Sequence, residues 1–203
     1  EIHTALPQYS EIGVGRDDGK TRGEYAAILY RTDRFVVAPD DSGTFWLSDT
    51  PETPGSKSWG NTIPRICTWA KLRERGGVPG GAEASTPIYI YNVHLDHQSE
   101  RSRQMSVHLL LNRITHRAYA NEMIIVTGDF NCGESSVGIR AMQAADYHEQ
   151  VPPGSAVWPG LVDSFRVVHP KGTSIDVGTF HAFKGKADGE KIDYIFVPHF
   201  TAV

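Results

Sequence analysis

The chain has 203 residues, of which 39% are hydrophobic, and this length fits one globular domain with a substantial core. Its formal net charge of −4 and pI near 6.1 argue against a broad basic surface for duplex nucleic acid, because such binding depends on neutralising phosphates. No run in the sequence reaches the roughly 20 apolar residues needed to span a bilayer.

Five short apolar segments, each bounded by glycine, proline or aspartate, predict strands. They alternate in polarity or are rich in β-branched residues, as strands usually are. These predicted strands are residues 26–30, 65–72, 87–95, 122–128 and 191–197.

The clearest helix signal covers residues 99–120, where Ser99 is a plausible N-cap. Its apolar residues at helical spacing are Met105, Leu109, Leu110 and Ile114. A second helix is predicted at 135–145. Strands separated by single helices indicate α/β layering, while the glycine-rich segment 75–86 predicts a turn between neighbouring strands, so the sheets should be mixed. The proline-rich segment 151–159 predicts a surface loop within the same single domain.

Polar residues stand where three predicted strands end. They are His94, then Asp129 and Asn131, then Asp193. Strand ends in an open sheet converge on one crevice, so these residues can meet although they are far apart in sequence. Taken singly, each aspartate could be a turn residue and His94 a core histidine. Together, the carboxylate, amide and imidazole groups suit a hard cation such as Mg²⁺ and a phosphoryl group.

Four ordered segments resemble the successive motifs of the endonuclease/exonuclease/phosphatase superfamily: Tyr91-Asn-Val-His94-Leu, Val126-Thr-Gly-Asp129-Phe-Asn131, Thr179-Phe180-His181 and Ile192-Asp193-Tyr-Ile-Phe. The earlier Gly13-Val-Gly-Arg16, Gly23-Glu24-Tyr25 and Ile28-Leu-Tyr-Arg31 resemble a branch near nocturnin and the deadenylases. The resemblance covers nearly the whole chain. It implies a four-layered α/β sandwich, with two mixed sheets packed face to face and helices outside.

The resemblance also implies a metal-dependent phosphoesterase that uses Mg²⁺, with Mn²⁺ as an alternative, for in-line attack of water on phosphorus. His94 would stabilise the pentacovalent phosphate, Asp129 would orient or deprotonate the water, and Asn131 would donate its amide to a phosphoryl oxygen. Asp193 would lie near the metal and the nucleophile, so Asp129 and Asp193 are the predicted metal ligands. Glu24 would fix the tautomer of His94.

Three further residues are predicted to bind substrate. Arg65 matches a phosphate-contacting basic residue of related nucleases, although an ordinary strand arginine is an equal alternative. Phe180 and His181 could line the substrate pocket, but a core position is the more common one for a phenylalanine such as Phe180. Asp163 also matches a family motif, and we interpret it as a structural or capping residue.

Two motifs of the family have no counterpart between Glu1 and Val203: an upstream Glu that binds Mg²⁺ and a downstream Ser-Asp-His. We therefore expect a single domain, residues 1–203, that lacks its first and last strands. Each missing group typically contributes roughly 10²–10⁴-fold in rate, so the chain by itself is expected to be weakly active or inactive.

Two alternatives stay open. One is a catalytically impaired fragment or non-catalytic binding module of the same fold. The other is a zinc hydrolase that uses His94, Asp96 and His97, imidazole and carboxylate groups being common zinc ligands. The sequence does not choose among nucleotide, single-stranded nucleic acid, inositol and lipid phosphoester substrates, nor between nuclease and phosphatase. The acidic pI favours a small or single-stranded ester.

Overall fold

A computed structural model describes residues 2–75, 87–119, 121–144, 158, 160–172, 177–186 and 188–199. Within these ranges the strands are β1 (Tyr9–Ile12), β2 (Ile28–Arg31), β3 (Phe35–Val36), β4 (Ser42–Trp46), β5 (Ile66–Glu74), β6 (Ile88–His94), β7 (Met123–Asp129), β8 (Val162–Asp163) and β9 (Asp193–Val197). The helices are α1 (Ile2–Ala5), α2 (Glu100–Thr115), α3 (Val137–Gln143) and α4 (Ser164–Val168). Nearly all of the predicted turn at 75–86 and of the predicted loop at 151–159 lies outside the described residues.

Two sheets organise the described part of the chain. The larger sheet has the strand order β3-β5-β6-β7-β9-β8, and β4 also pairs with β5. Its β6 and β7 are parallel, whereas its other pairings are antiparallel. The smaller sheet is the antiparallel pair β1-β2. The mixed α/β fold with two sheets predicted from the sequence is therefore confirmed.

The main core lies between the larger sheet and the helices α2 and α3. Alternate residues of β6, namely Tyr89, Tyr91 and Val93, are buried on this face, because successive strand residues point to opposite faces. On the other face, Ile28 of the smaller sheet packs with Ala70 of β5. The described residues thus form a helical layer, a large sheet and a small sheet, and none of their helices is long and apolar enough to cross a membrane.

Local signals explain where the helices begin. The Ser99 hydroxyl accepts a hydrogen bond from the backbone N–H of Ser102 and caps α2. Ser136 caps α3 in the same way. The predicted C-terminal limit of α2 at residue 120 is wrong, because the helix ends at Thr115. There the Thr115 hydroxyl donates to the Leu111 carbonyl oxygen.

The five predicted strands all occur, with ends that differ by at most two residues. The largest differences are at the starts of β2 and β9 and at the end of β5; β9, for example, begins at Asp193 rather than at residue 191. The short strands β1, β3, β4 and β8 and the helix α4 were not predicted. Their two to five residues carry too little periodicity for a sequence pattern to reveal them.

Candidate active site

The register of three neighbouring strands brings the main predicted site residues into one row. In β6 and β7, His94 is the partner of Asp129, and in β7 and β9, Asp129 is the partner of Asp193. Directly opposed residues of an antiparallel pair have Cβ atoms about 4.5–5.5 Å apart. The strand ends therefore gather one imidazole and two carboxylates at one edge of the larger sheet, as the sequence predicts.

Gly128 is required for this close approach. Its φ is +138°, a conformation that side chains rarely adopt. A Cβ atom at this position would lie 2.0 Å from the carbonyl oxygen of Val93. The glycine of the Gly-Asp-Phe-Asn segment thus lets β7 pass against β6 directly beside the site.

His94 lies between two carboxylates. Its Nδ1 atom is 3.7 Å from Glu24 Oε2, and its Nε2 atom is 3.6 Å from Asp129 Oδ2. Glu24 in turn contacts Arg16 Nη1. Burial, followed by the positive charge of Arg65, lowers the pKa of His94 from its ordinary value near 6.5 to about 4. The ring is therefore neutral at pH 7 and carries a single N–H group.

The Asp129 and Asp193 carboxylates form a like-charge pair. Burial raises the pKa of Asp129, the backbone N–H of Asn131 opposes that shift, and the negative charge of Asp193 adds to it. Like charges directly opposed across two strands destabilise each other. A cation placed between them would relieve this repulsion, and Mg²⁺ typically uses one or two carboxylates plus water and substrate oxygens. The donor set therefore fits Mg²⁺, although the described residues contain no group of three acidic, histidine or cysteine side chains arranged to hold a metal.

Asn131 reaches the same edge from the turn after β7. Its backbone N–H donates to Asp129 Oδ1 at 2.8 Å, and its side-chain Nδ2 donates to the Leu95 carbonyl oxygen at 2.9 Å. Its φ of +49° is a left-handed value that asparagine tolerates better than most residues. One amide N–H is thus used to fix the side chain, and a second remains for the predicted phosphoryl contact.

Arg65 is not an ordinary surface arginine, because only 3% of it is exposed. Its Nε lies 3.4 Å from Asp96 Oδ2, and its Nη2 contacts His97 Nδ1 at 2.7 Å. Asp96 Oδ1 also accepts the backbone N–H groups of Gln98 and Ser99 at the start of α2. Asp96 and His97 are thus engaged in holding Arg65, and this arrangement gives a zinc site at these two residues no support.

Phe180 and His181 lie in a loop that is fastened beside Asp193. The Thr179 hydroxyl accepts the backbone N–H groups of Ile192 and Asp193 at 3.0 and 3.1 Å. Phe180 is 56% exposed, so the core position that we considered the more common one is wrong. His181 is exposed too, and its Nδ1 accepts the Gly185 N–H. Both residues stay predictions as substrate contacts.

A cavity of about 730 Å³ opens beside the two carboxylates. Asp129 and Asp193 are on its wall together with Phe165, His169 and the buried Lys191. Lys191 Nζ donates to Asp163 Oδ2 at 2.8 Å. Asp163 also accepts the Phe165 N–H and caps α4, so its predicted capping role is confirmed.

Two further residues were missed by the sequence analysis. Arg16 was noticed only as part of a motif, yet its guanidinium contacts Glu24 and lines a small pocket with His94 and Arg65. Asp96 was considered only as a zinc ligand. The role of Asp96 has no local signal, because its contact with Arg65 joins residues 31 positions apart.

A mixed sheet whose strand ends gather histidine, aspartate and asparagine side chains is the architecture of a phosphoesterase fold. The family model described as "Endonuclease/Exonuclease/phosphatase family" matches residues 9–203. The chain belongs to this family, whose members are hydrolases that act on phosphate esters.

Solved structures agree with this assignment. An endonuclease/exonuclease/phosphatase from Bacteroides vulgatus shares 32% identity with a TM-score of 0.74, covering 97% of this chain and 67% of that one. The Bacteroides thetaiotaomicron mannosyl-6-phosphatase Bt3783 also shares 32% identity, with a TM-score of 0.73, covering 97% of this chain and 65% of that one. The human nocturnin catalytic domain shares the fold at 14% identity and a TM-score of 0.59, covering 96% of this chain and 62% of that one. The chain spans about two thirds of the length of these proteins, and no curated protein matched it.

Proposed function

We propose that the protein is a Mg²⁺-dependent phosphoesterase whose preferred substrate is the phosphate monoester of a small polar molecule, with sugar phosphates the leading class. The observation that carries the reaction type is the row of His94, Asp129 and Asp193 across three adjacent strands. Support for the substrate class comes from the mannosyl-6-phosphatase at 32% identity and from the acidic net charge of this chain.

Each residue has a defined task in the proposed reaction. Asp129 Oδ2 faces His94 Nε2, so a water held at Asp129 lies next to the imidazole. The carboxylate orients this water and accepts its proton as it attacks phosphorus. The second N–H of Asn131, and the single N–H of the neutral His94 ring in the tautomer that carries it on Nε2, donate hydrogen bonds to phosphoryl oxygens, whose negative charge grows in the transition state.

Glu24 and Arg65 lie near His94 and assist it. Glu24 is close to Nδ1 of the ring and restrains its orientation. Arg65 is buried near His94 and supplies fixed positive charge, which attracts a phosphate dianion. Because the Arg65 guanidinium is held by Asp96 and His97, its position needs no rearrangement when substrate binds.

Mg²⁺ would be held by Asp129 and Asp193 and would polarise a phosphoryl oxygen when bound. The opposed carboxylates support this assignment, since their mutual repulsion favours a cation between them. Mn²⁺ has the same preference for oxygen ligands and would substitute for it.

Release of phosphate from a panel of esters tests the proposal. The panel contains mannose 6-phosphate, other sugar phosphates, mononucleotides, inositol phosphates, single-stranded RNA and duplex DNA, each with Mg²⁺, Mn²⁺ or EDTA. Two forms should be assayed: residues 1–203 alone, and the protein with any flanking residues that its gene encodes. The expected result is metal-dependent hydrolysis, fastest for small monoesters and lost in Asp129→Asn.

Different outcomes separate the parts of the proposal. Hydrolysis that prefers duplex DNA would refute the substrate class but leave the reaction type intact. Binding of esters without turnover in either form of the protein would favour the non-catalytic module. Activity that resists EDTA and survives Asp193→Asn would refute the metal assignment.

A further inference from the structure

A second cavity lies on the face of the larger sheet opposite to the candidate active site. It encloses about 470 Å³ between β4, β5, β6 and the C-terminal part of α2. Strand alternation separates the two sites, because Tyr91 faces the helices whereas His94, three residues further along β6, lies on the other face. A ligand in this cavity cannot touch the row of His94, Asp129 and Asp193.

Aromatic rings from three strands form one wall of the cavity. Phe45 comes from β4, Trp69 from β5, and Tyr89 and Tyr91 from β6. The rings of Trp69 and Tyr89 are stacked with centroids 6.2 Å apart, and those of Tyr89 and Tyr91 are stacked at 6.3 Å. Phe45, Tyr89 and Tyr91 are buried, whereas the half-buried Trp69 offers the face of a flat ring a surface on which to stack.

The opposite wall is polar and carries positive charge from α2 and the turn after it. Arg113 of α2 and Arg117 of that turn both line the cavity together with Asn112. The Arg113 guanidinium lies 5.2 Å from the centre of the Phe45 ring, and that of Arg117 lies 5.6 Å from the Tyr89 ring. Arg117 is held there by donating to the backbone carbonyl oxygens of Ile114 and Glu122.

Arg113 can exchange its ion pair with Glu52 for one with a ligand, because the Arg113–Glu52 pair is weak. Its partner Glu52 is 72% exposed and Arg113 itself 40% exposed, and exposed pairs contribute little net energy. Burial raises the pKa of Tyr91, so its hydroxyl stays protonated and offers a neutral hydrogen-bond donor in the aromatic wall. The acidic Asp40 and Asp41 also line the cavity, and Asp41 pairs with Arg73.

We propose that this cavity is a second binding site, separate from the active site, for a planar aromatic ligand that carries an anionic group, as in a nucleoside monophosphate. The ring would stack on the half-buried Trp69, and the anion would pair with Arg113. A ligand with only one of these two groups would bind more weakly. An isolated anion would have no stacking contact with the aromatic wall, and a neutral ring would form no ion pair with a guanidinium group.

Three probes separate these contributions: AMP has the ring and the anion, adenosine has the ring alone, and inorganic phosphate has the anion alone. Titrations in EDTA prevent metal-dependent turnover of AMP. Binding is followed by calorimetry and by tryptophan fluorescence, because stacking on Trp69 quenches its emission. AMP should bind saturably with quenching, and adenosine and phosphate should each bind at least tenfold more weakly.

Variants locate the site. Arg113→Gln should weaken AMP binding about tenfold or more, while the matched control Arg101→Gln, at an exposed position in the first turn of the same helix, should leave it unchanged. Trp69→Phe should abolish the AMP-dependent quenching while calorimetry still detects binding. His94→Ala should bind AMP as the unaltered protein does.

The proposal is overturned if AMP shows no saturable binding, if adenosine binds as well as AMP, or if phosphate binds as well as AMP and that phosphate binding is weakened by Arg113→Gln. It is equally overturned if binding is lost in His94→Ala but intact in Arg113→Gln, because the nucleotide would then occupy the active site.

Discussion

Replacing Asp96 tests how the buried Arg65 is held beside the candidate site. The two residues are 3% and 1% exposed, and their closest atoms are 3.4 Å apart. Removing one partner of a buried ion pair leaves an uncompensated charge and typically costs about 3–5 kcal/mol. Because 3.4 Å is long for such a pair, we expect about 3 kcal/mol for Asp96→Asn, which retains an oxygen for the backbone N–H groups of Gln98 and Ser99.

Asp96→Ala also removes the acceptor of those two N–H groups and should cost roughly 1 kcal/mol more than Asp96→Asn. Urea unfolding followed by circular dichroism gives both values. The control is Asp33→Asn, which removes an exposed ion pair with Arg31 and should cost less than about 1 kcal/mol. If both Asp96 variants cost no more than this control, the buried pair does not stabilise the fold as argued.

The stability that Asp96→Asn loses relative to the unaltered protein should depend on pH. Burial raises the pKa of Asp96, but the backbone N–H groups of Ser99 and Gln98 and the charge of Arg65 outweigh it and hold the pKa below its ordinary value. A lowered pKa contributes stability above the unfolded pKa, which is lost as pH falls through the folded one. The stability difference between the protein and Asp96→Asn should be constant from about pH 7 to 5 and shrink below about pH 4. A difference that grows on acidification would contradict this sign.

Three other substitutions test separate parts of the structure. Gly128→Ala should lower the free energy of unfolding in urea by more than about 3 kcal/mol, because its Cβ would meet a carbonyl oxygen at 2.0 Å. The control Gly172→Ala, at a position with positive φ but nothing within 4 Å, should lower it by only about 1–2 kcal/mol. Equal losses in the two variants would refute the steric argument. His94→Ala should lower kcat about 10²–10⁴-fold without loss of fold by circular dichroism, and unchanged kcat would remove it from the mechanism. Lys191→Met should lower the free energy of unfolding by about 3–5 kcal/mol, because it leaves Asp163 buried without its cation. Adding Asp163→Asn to this variant should recover part of the lost stability. A further loss of stability in the double variant would contradict the pairing.

Local chemistry made much of the fold predictable. Ser99 is followed by an amphipathic segment, so a helix start there needs only the capping rule, and the structure shows that cap. Gly128 precedes Asp129 at the end of an apolar run, which marks a strand end. The row of His94, Asp129 and Asp193 followed from motif order and from the convergence of strand ends.

The parts that could not be predicted depend on long-range pairing. β4 runs from Ser42 to Trp46 and is stabilised mainly by its partner β5 rather than by its own residues. The Arg65–Asp96 contact joins two segments whose relative position no local pattern specifies. Phe180 was placed in the core on residue type alone, and its exposed position depends on the loop that Thr179 fastens beside Asp193.

The central claim is that His94, Asp129 and Asp193 surround one phosphoryl group and its cation. A crystal structure of the protein soaked with Mn²⁺ and inorganic phosphate, with anomalous scattering to locate the metal, tests it most directly. We predict Mn²⁺ between the Asp129 and Asp193 carboxylates and phosphate within hydrogen-bonding distance of His94 and Asn131. Phosphate and metal bound elsewhere, with this row of side chains contacting neither, would contradict the claim.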